Sequence, residues 1–179
     1  MDALSRSRFD RMEAKKAALF ERLVGVTDEV LNRFPAEGEW SVAQVLAHLC
    51  LVEELSVRHL RERMAAAAPP GGAGSRLRSA ALSLALRSGL RFKAPAMTAE
   101  LPDRSSLAAI RERWDGVRVE LEAVLGEVPP ELATRALFRH PRAGRLTLAQ
   151  AVRFMEEHLD HHRPQVERVL ARVGRRSER

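Results

Sequence analysis

Apolar residues recur every three or four positions toward the end of this chain, at Leu148, Val152, Met155, Leu159, Val166, Val169 and Leu170, with charged residues between them. An α-helix completes a turn in about 3.6 residues, so this rhythm gathers those side chains on one face that needs another surface to cover it. A helix over roughly 148–172 follows. The same period predicts helices over 4–24, through Leu4, Phe9, Met12, Leu19, Phe20 and Leu23, and over 41–67, through Val42, Val45, Leu46, Leu49, Val52 and Leu55. A further one is predicted over 104–126, through Leu107, Ile110, Trp114, Val117, Leu121, Val124 and Leu125.

Local chemistry punctuates these segments. Gly25 closes the first, Ser41 with Gln44 and Thr147 with Gln150 have capping-box spacing, and Gly126 with Pro129-Pro130 ends the third. The Pro-Gly run at 69–75 is a break. Around it the pattern predicts one short helix over 76–89, a proline-punctuated loop after it, and a single helical turn within 26–40. No strand pattern competes. The expected fold is all-α, a four-helix up-down bundle with an additional short helix and long loops, residues 1–173 forming a single domain and 174–179 a frayed basic tail.

A chain of 179 residues can bury a core of useful size without disulfides or a structural metal. Its one cysteine, Cys50, forbids an intrachain disulfide and fits a reducing compartment. The first twenty residues contain no apolar targeting core, and no run approaches the roughly 20 apolar residues of a membrane span. The expected location is cytoplasmic. The net charge of +6 comes from 27 arginines and 3 lysines dispersed among 24 acids, and with no tyrosine there is little from which to build a base-stacking platform. Nucleic acid is therefore not expected as a partner.

Three of the six histidines lie in "FMEEHLDHHRPQ", residues 154–165. On a helix His158 and His162 differ by about 40° in azimuth and ~6 Å in height. Both share the face of Met155 and Val166, so both rings turn inward. A His-x-x-x-His pair can give two nitrogens to one zinc, nickel, copper or iron ion, or can be a hydrogen-bonded buried pair. His48 lies on the core-facing side of the second predicted helix and would add a third nitrogen, leaving a position open for water or substrate. His161 is rotated about 100° from His162, to the edge of the seam. His59 stands ~16 Å along the helix from His48 and cannot share its ion. His140 falls in a loop that could line the mouth of such a site.

The blocks "EWSVAQVLAHL" (39–49), "FRHPRAGRLTLAQ" (138–150) and "FMEEHLDHHRPQ" (154–165) together resemble the signature blocks of the DinB/YfiT-like superfamily, including the branch termed DinB_2. The resemblance covers almost the whole chain. It implies a four-helix bundle that binds a divalent metal through three histidines, which fall on His48, His158 and His162. Gln165 takes the place of the glutamine that commonly follows the last of them. Pro164 departs from the pattern, which often has glycine or another small residue there, and predicts a kink just past the site.

Further side chains near the site have two readings each. Glu53, Glu54, Glu156, Glu157 and Asp160 are either solvent-facing flanks or acceptors for an imidazole N–H. Arg139, Arg142, Arg145 and Arg163 are either solvated or clamps for an anionic ligand. Trp40 reads as an anchor for the helix start, and Cys50, about 160° around the helix from His48, as a buried thiol.

No protein nucleophile, phosphate loop or catalytic carboxylate pair is visible, so the chemistry would come from the metal acting as a Lewis acid. Relatives implied by the resemblance include thiol transferases that use bacillithiol, and mycothiol-dependent isomerases. The expected function is thus a metal-dependent S-transferase (zinc, nickel or iron) that joins a low-molecular-weight thiol to a small electrophile. The alternatives are a hydrolase using metal-bound water and a non-catalytic metal-binding or stress-response protein. The apolar run "AALSLALRSGL" offers a surface for the core or for a homodimer.

Overall fold

A computed structural model describes residues 1–64, 70–88 and 101–177 of the chain. Helix α1 (Ala3–Glu21) is followed by one turn, α2 (Asp28–Leu31), then α3 (Val42–Met64), α4 (Ala73–Arg87), α5 (Leu107–Glu127) and α6 (Leu148–Ser177). A 3-10 turn at Pro130–Leu132 precedes a hairpin of β1 (Phe138–His140) and β2 (Gly144–Leu146). Helices α1, α6, α3 and α5 pack each on the next and close into a ring. The core inside it includes Phe9, Met12, Leu46, Leu49, Trp114, Leu121, Met155 and Leu159, all buried. Each fully buried Leu or Met contributes about 1.5–3 kcal/mol. Among the described residues, no helix is long and apolar enough to cross a membrane.

The helix ends follow the expected chemistry. Ser41 accepts from the Gln44 N–H while the Gln44 side chain accepts from the Ser41 N–H, at 3.2 and 3.3 Å. Gln150 accepts from the Thr147 N–H at 2.9 Å, completing half of the second box. Asp2 and Ser106 cap α1 and α5. Gly25 takes φ +81° beyond the end of α1, a left-handed conformation that suits glycine.

Several expectations change. Leu4 is 54% exposed and belongs to the outside of α1. Helix α6 continues to Ser177, five residues beyond the expected end, with Pro164 inside it. The hairpin contradicts the expectation that no strand is present, and Gly144 at φ +68° follows its three-residue loop and opens β2 in the left-handed conformation such turns require. Helix α4 begins three residues earlier than predicted, while the loop expected after it falls on 89–100, outside the described residues.

Polar contacts lock the ring. Arg118, buried, grips both oxygens of buried Glu53 at 2.6 and 2.9 Å, and Trp114 Nε1 donates to the same carboxylate at 2.8 Å. Arg118 also reaches Glu13, joining α1, α3 and α5. Across the molecule Arg8, Arg11 and Lys15 of α1 converge on Glu156 of α6.

Helix α4 lies outside the ring against α6. Its inward stripe is Ser75, Ser79, Ser83 and Leu86, and small serines let it come close. Ser75 donates to Gln150, and Ser83 to Glu157. Leu82 is half-buried, whereas Leu77 and Leu84 are exposed. The hairpin sits with β1 on α3 and β2 on α4, so α3, α4, α6 and the hairpin enclose one space.

Candidate metal centre

That space is a cavity of about 1260 Å³. His48, from the first half of α3, and His158 and His162, one turn apart on α6, line it, with His48 and His162 3% and 8% exposed. Their Nε2 atoms converge: His48 to His158 is 3.3 Å and His158 to His162 is 3.1 Å. Nitrogens bound to one tetrahedral zinc at about 2.0–2.1 Å stand about 3.3–3.4 Å apart, close to these two separations, and the three donor atoms all lie within 4.8 Å of one another. Together the three histidines form a cluster able to hold a metal.

The protonation states agree. Nδ1–H of His162 donates to Gln165 Oε1 at 2.8 Å, which leaves the lone pair of a neutral ring on Nε2, facing the cluster. Burial lowers the His162 pKa to about 4, against a smaller upward pull from Gln165. His158 is pushed well below its ordinary value, first by burial and then by the surrounding histidines. A neutral imidazole is the form that binds a transition metal.

Aromatic walls hold the rings in place. Trp40 packs on His48 with centroids 4.9 Å apart, and Phe154, one turn before His158, stacks on it at 5.4 Å and 28°. Trp40 thus contacts the cluster as well as anchoring the start of α3. Phe154 was not among the expected site residues, although its spacing of four from His158 puts both on one helix face.

The other expected residues divide. Gln165 is on the cluster, and helix continuity through Pro164 keeps it there. His161 donates Nδ1–H to the Leu86 carbonyl at 2.9 Å, tying α6 to α4 at the cavity edge. His140, Arg139 and Arg142 line the cavity. Arg163 is exposed and is not among the residues that line it, in keeping with the solvated one of its two readings. Arg145 borders a separate small crevice beside His59. His59 packs edge-on to Phe138, away from the cluster.

The five carboxylates serve elsewhere. Glu53 holds Arg118 and Trp114, Glu54 pairs with Arg113, Glu156 takes the cations of α1, Glu157 binds Arg153 and Ser83, and Asp160 pairs with Lys15. The acceptor found for an imidazole N–H of the cluster is the neutral amide of Gln165. Cys50 is buried with its thiol pushed up to about 12 by burial, an inert core side chain.

Comparison with known proteins fits this arrangement. The family model of the DinB superfamily matches residues 9–166, a span that holds the whole histidine cluster. The chain belongs to the DinB superfamily. A relative, the uncharacterized protein YuaE of Bacillus subtilis (strain 168), is 28% identical over 156 residues, covering 87% of this chain and 93% of that protein. No solved structure matches. Membership in the DinB superfamily accords with the helical architecture, and the buried tri-histidine group is compatible with metal binding within it.

Proposed function

We propose that this protein holds a divalent transition-metal ion through Nε2 of His48, His158 and His162, and uses it to transfer a low-molecular-weight thiol, of the bacillithiol or mycothiol type, to a small electrophile. The observation that carries this reading is the convergence of three buried imidazole nitrogens beside a cavity of about 1260 Å³, enough for two small reactants. Imidazole donors suit zinc, nickel or iron. Bound there, such an ion supplies Lewis acidity that keeps a thiol ionised near neutral pH.

The chain's own residues supply the rest. Gln165 fixes the tautomer of His162, Trp40 and Phe154 hold the His48 and His158 rings, and α4 forms one wall of the cavity. The thiol gives its proton to solvent on ionising, and in the transfer a sulfur–carbon bond forms as the bond from that carbon to its leaving group breaks, the leaving group departing with the electron pair of that bond. The test is to incubate zinc-loaded protein with chlorodinitrobenzene and a low-molecular-weight thiol. Thioether and chloride should form together in wild type and cease in His48→Ala. Chloride released without thiol incorporation would assign hydrolysis instead.

A further inference from the structure

His140 ends strand β1 and lines the cavity. Its Nδ1 accepts two hydrogen bonds, from the backbone N–H of Arg142 at 3.2 Å and of Ala143 at 3.0 Å. A ring nitrogen that accepts carries no proton, so the proton of the neutral ring lies on Nε2. The tautomer is therefore set by the turn, whose Gly144 at φ +68° closes it. Burial, reinforced by the charge of Arg142, holds the His140 pKa down to about 4, so the ring stays neutral at pH 7.

The ring is also fixed relative to the metal cluster. It meets Phe154 edge-on, with centroids 4.5 Å apart and planes at 74°, and Phe154 in turn stacks on His158. One aromatic side chain thus touches both His140 and the tri-histidine group. Among the described residues Nε2 of His140 has no hydrogen-bond partner.

The charge around it selects the ligand. Arg58, Arg78 and Arg168 line the same cavity and form no ion pair among the described residues. Arg78 lies against Gly144, its Nε 3.4 Å from where a Cβ would stand, which puts a guanidinium beside the turn that carries His140. Among the described residues the lining carboxylates are Glu39 and Glu62, and Glu39 is paired with Arg172. An excess of cations in a partly enclosed space favours an anion.

We infer that His140 is a fixed Nε2–H donor that binds a carboxylate oxygen of the reactant held in the cavity, with Arg78 supplying charge beside it. The inference rests on the functional reading above only for the neighbouring metal-bound thiol. It gives the substrate class of the site: a small thiol or electrophile bearing a carboxylate.

Two measurements test it. Nitrogen-15 spectra of the imidazoles at pH 7 should show His140 as the pure Nε2–H tautomer, and an Nδ1–H form or an imidazolium overturns the inference whether or not metal binds. In the second, mercaptoacetate and mercaptoethanol are titrated into zinc-loaded wild type and His140→Asn. Asparagine Oδ1 can replace Nδ1 as acceptor for the turn but offers no donor in the place of Nε2. The variant should keep its zinc and its affinity for mercaptoethanol and lose about tenfold or more for mercaptoacetate. Equal losses for both thiols, or none for either, overturn it. Should wild type take no zinc, the functional reading falls. His140 is then judged on the metal-free protein: acetate should shift its Nε2–H resonance, and no shift refutes the donor role.

Discussion

Gln165 accepts the Nδ1 proton of His162, and the Nε2 lone pair of that ring is left facing the two other imidazoles. His140 has the opposite tautomer, because backbone N–H groups occupy its Nδ1. The same side chain thus becomes a metal donor at one place and a hydrogen-bond donor at another. Replacing Gln165 by leucine removes the partner that orients His162. Zinc affinity, measured by competition with a chelator, should fall 10- to 100-fold, about the usual effect of losing such a partner, with little change in Tm. Helical azimuth is arithmetic, so the inward turn of His48, His158 and His162 was legible in the sequence. The partners of Glu53 and Glu156 were not, because they come from α5 and α1, and a charge pattern along one helix says nothing of what faces it.

At the level of elements, long amphipathic helices could be read directly, and capping boxes placed their starts to within a few residues. The hairpin was missed because each strand has three residues, too few for an alternating pattern to register, although "RHPRAGR" carries the glycine that a three-residue turn needs. Helix α4 was blurred for another reason. It buries serines and not a broad apolar stripe, so its attachment to α6 depends on hydrogen bonds and close approach. Gly71, just before α4, shows how close. A Cβ there would stand 2.6 Å from Thr147 Cγ2 and 2.9 Å from the Thr134 carbonyl oxygen, and the Gly71 N–H donates to that same oxygen. The carbonyl belongs to the backbone and cannot rotate away. Gly71→Ala should cost about 1–3 kcal/mol in chemical denaturation, as overpacking does elsewhere. A neutral outcome would show that α4 can shift without loss.

Considered as a whole, the molecule is a ring of four helices joined by polar clasps, with a histidine cluster near one wall. Its response to acid draws on a depressed carboxyl, Glu156, and on buried histidines held neutral, His162 among them. Burial alone would raise the Glu156 carboxyl, but hydrogen bonds from Arg11, Lys15 and Arg8 outweigh it and hold the pKa at about 2, against an ordinary 4.5. The folded state therefore binds fewer protons than the unfolded state in that interval. The stabilisation is complete above pH 4.5 and is lost as the pH falls toward 2, on the order of 3 kcal/mol. His162, lowered from 6.5 to about 4, weakens the fold in the same direction over a higher window, and protons there also compete with metal. Acid titration of stability should accordingly fall in two stages, and Glu156→Gln should flatten the lower one while leaving the upper. A profile unchanged by Glu156→Gln would mean the α1–α6 clasp contributes nothing.

The central claim is that three imidazoles from α3 and α6 form one cation site. Its most direct test is elemental analysis of untagged protein, wild type beside His48→Ala and His158→Ala, after equilibration with zinc, nickel or iron. About one transition-metal ion per chain in wild type, lost in both folded variants, is the predicted result. Wild-type protein that takes up none of the three metals, or variants that keep the ion, would contradict the account.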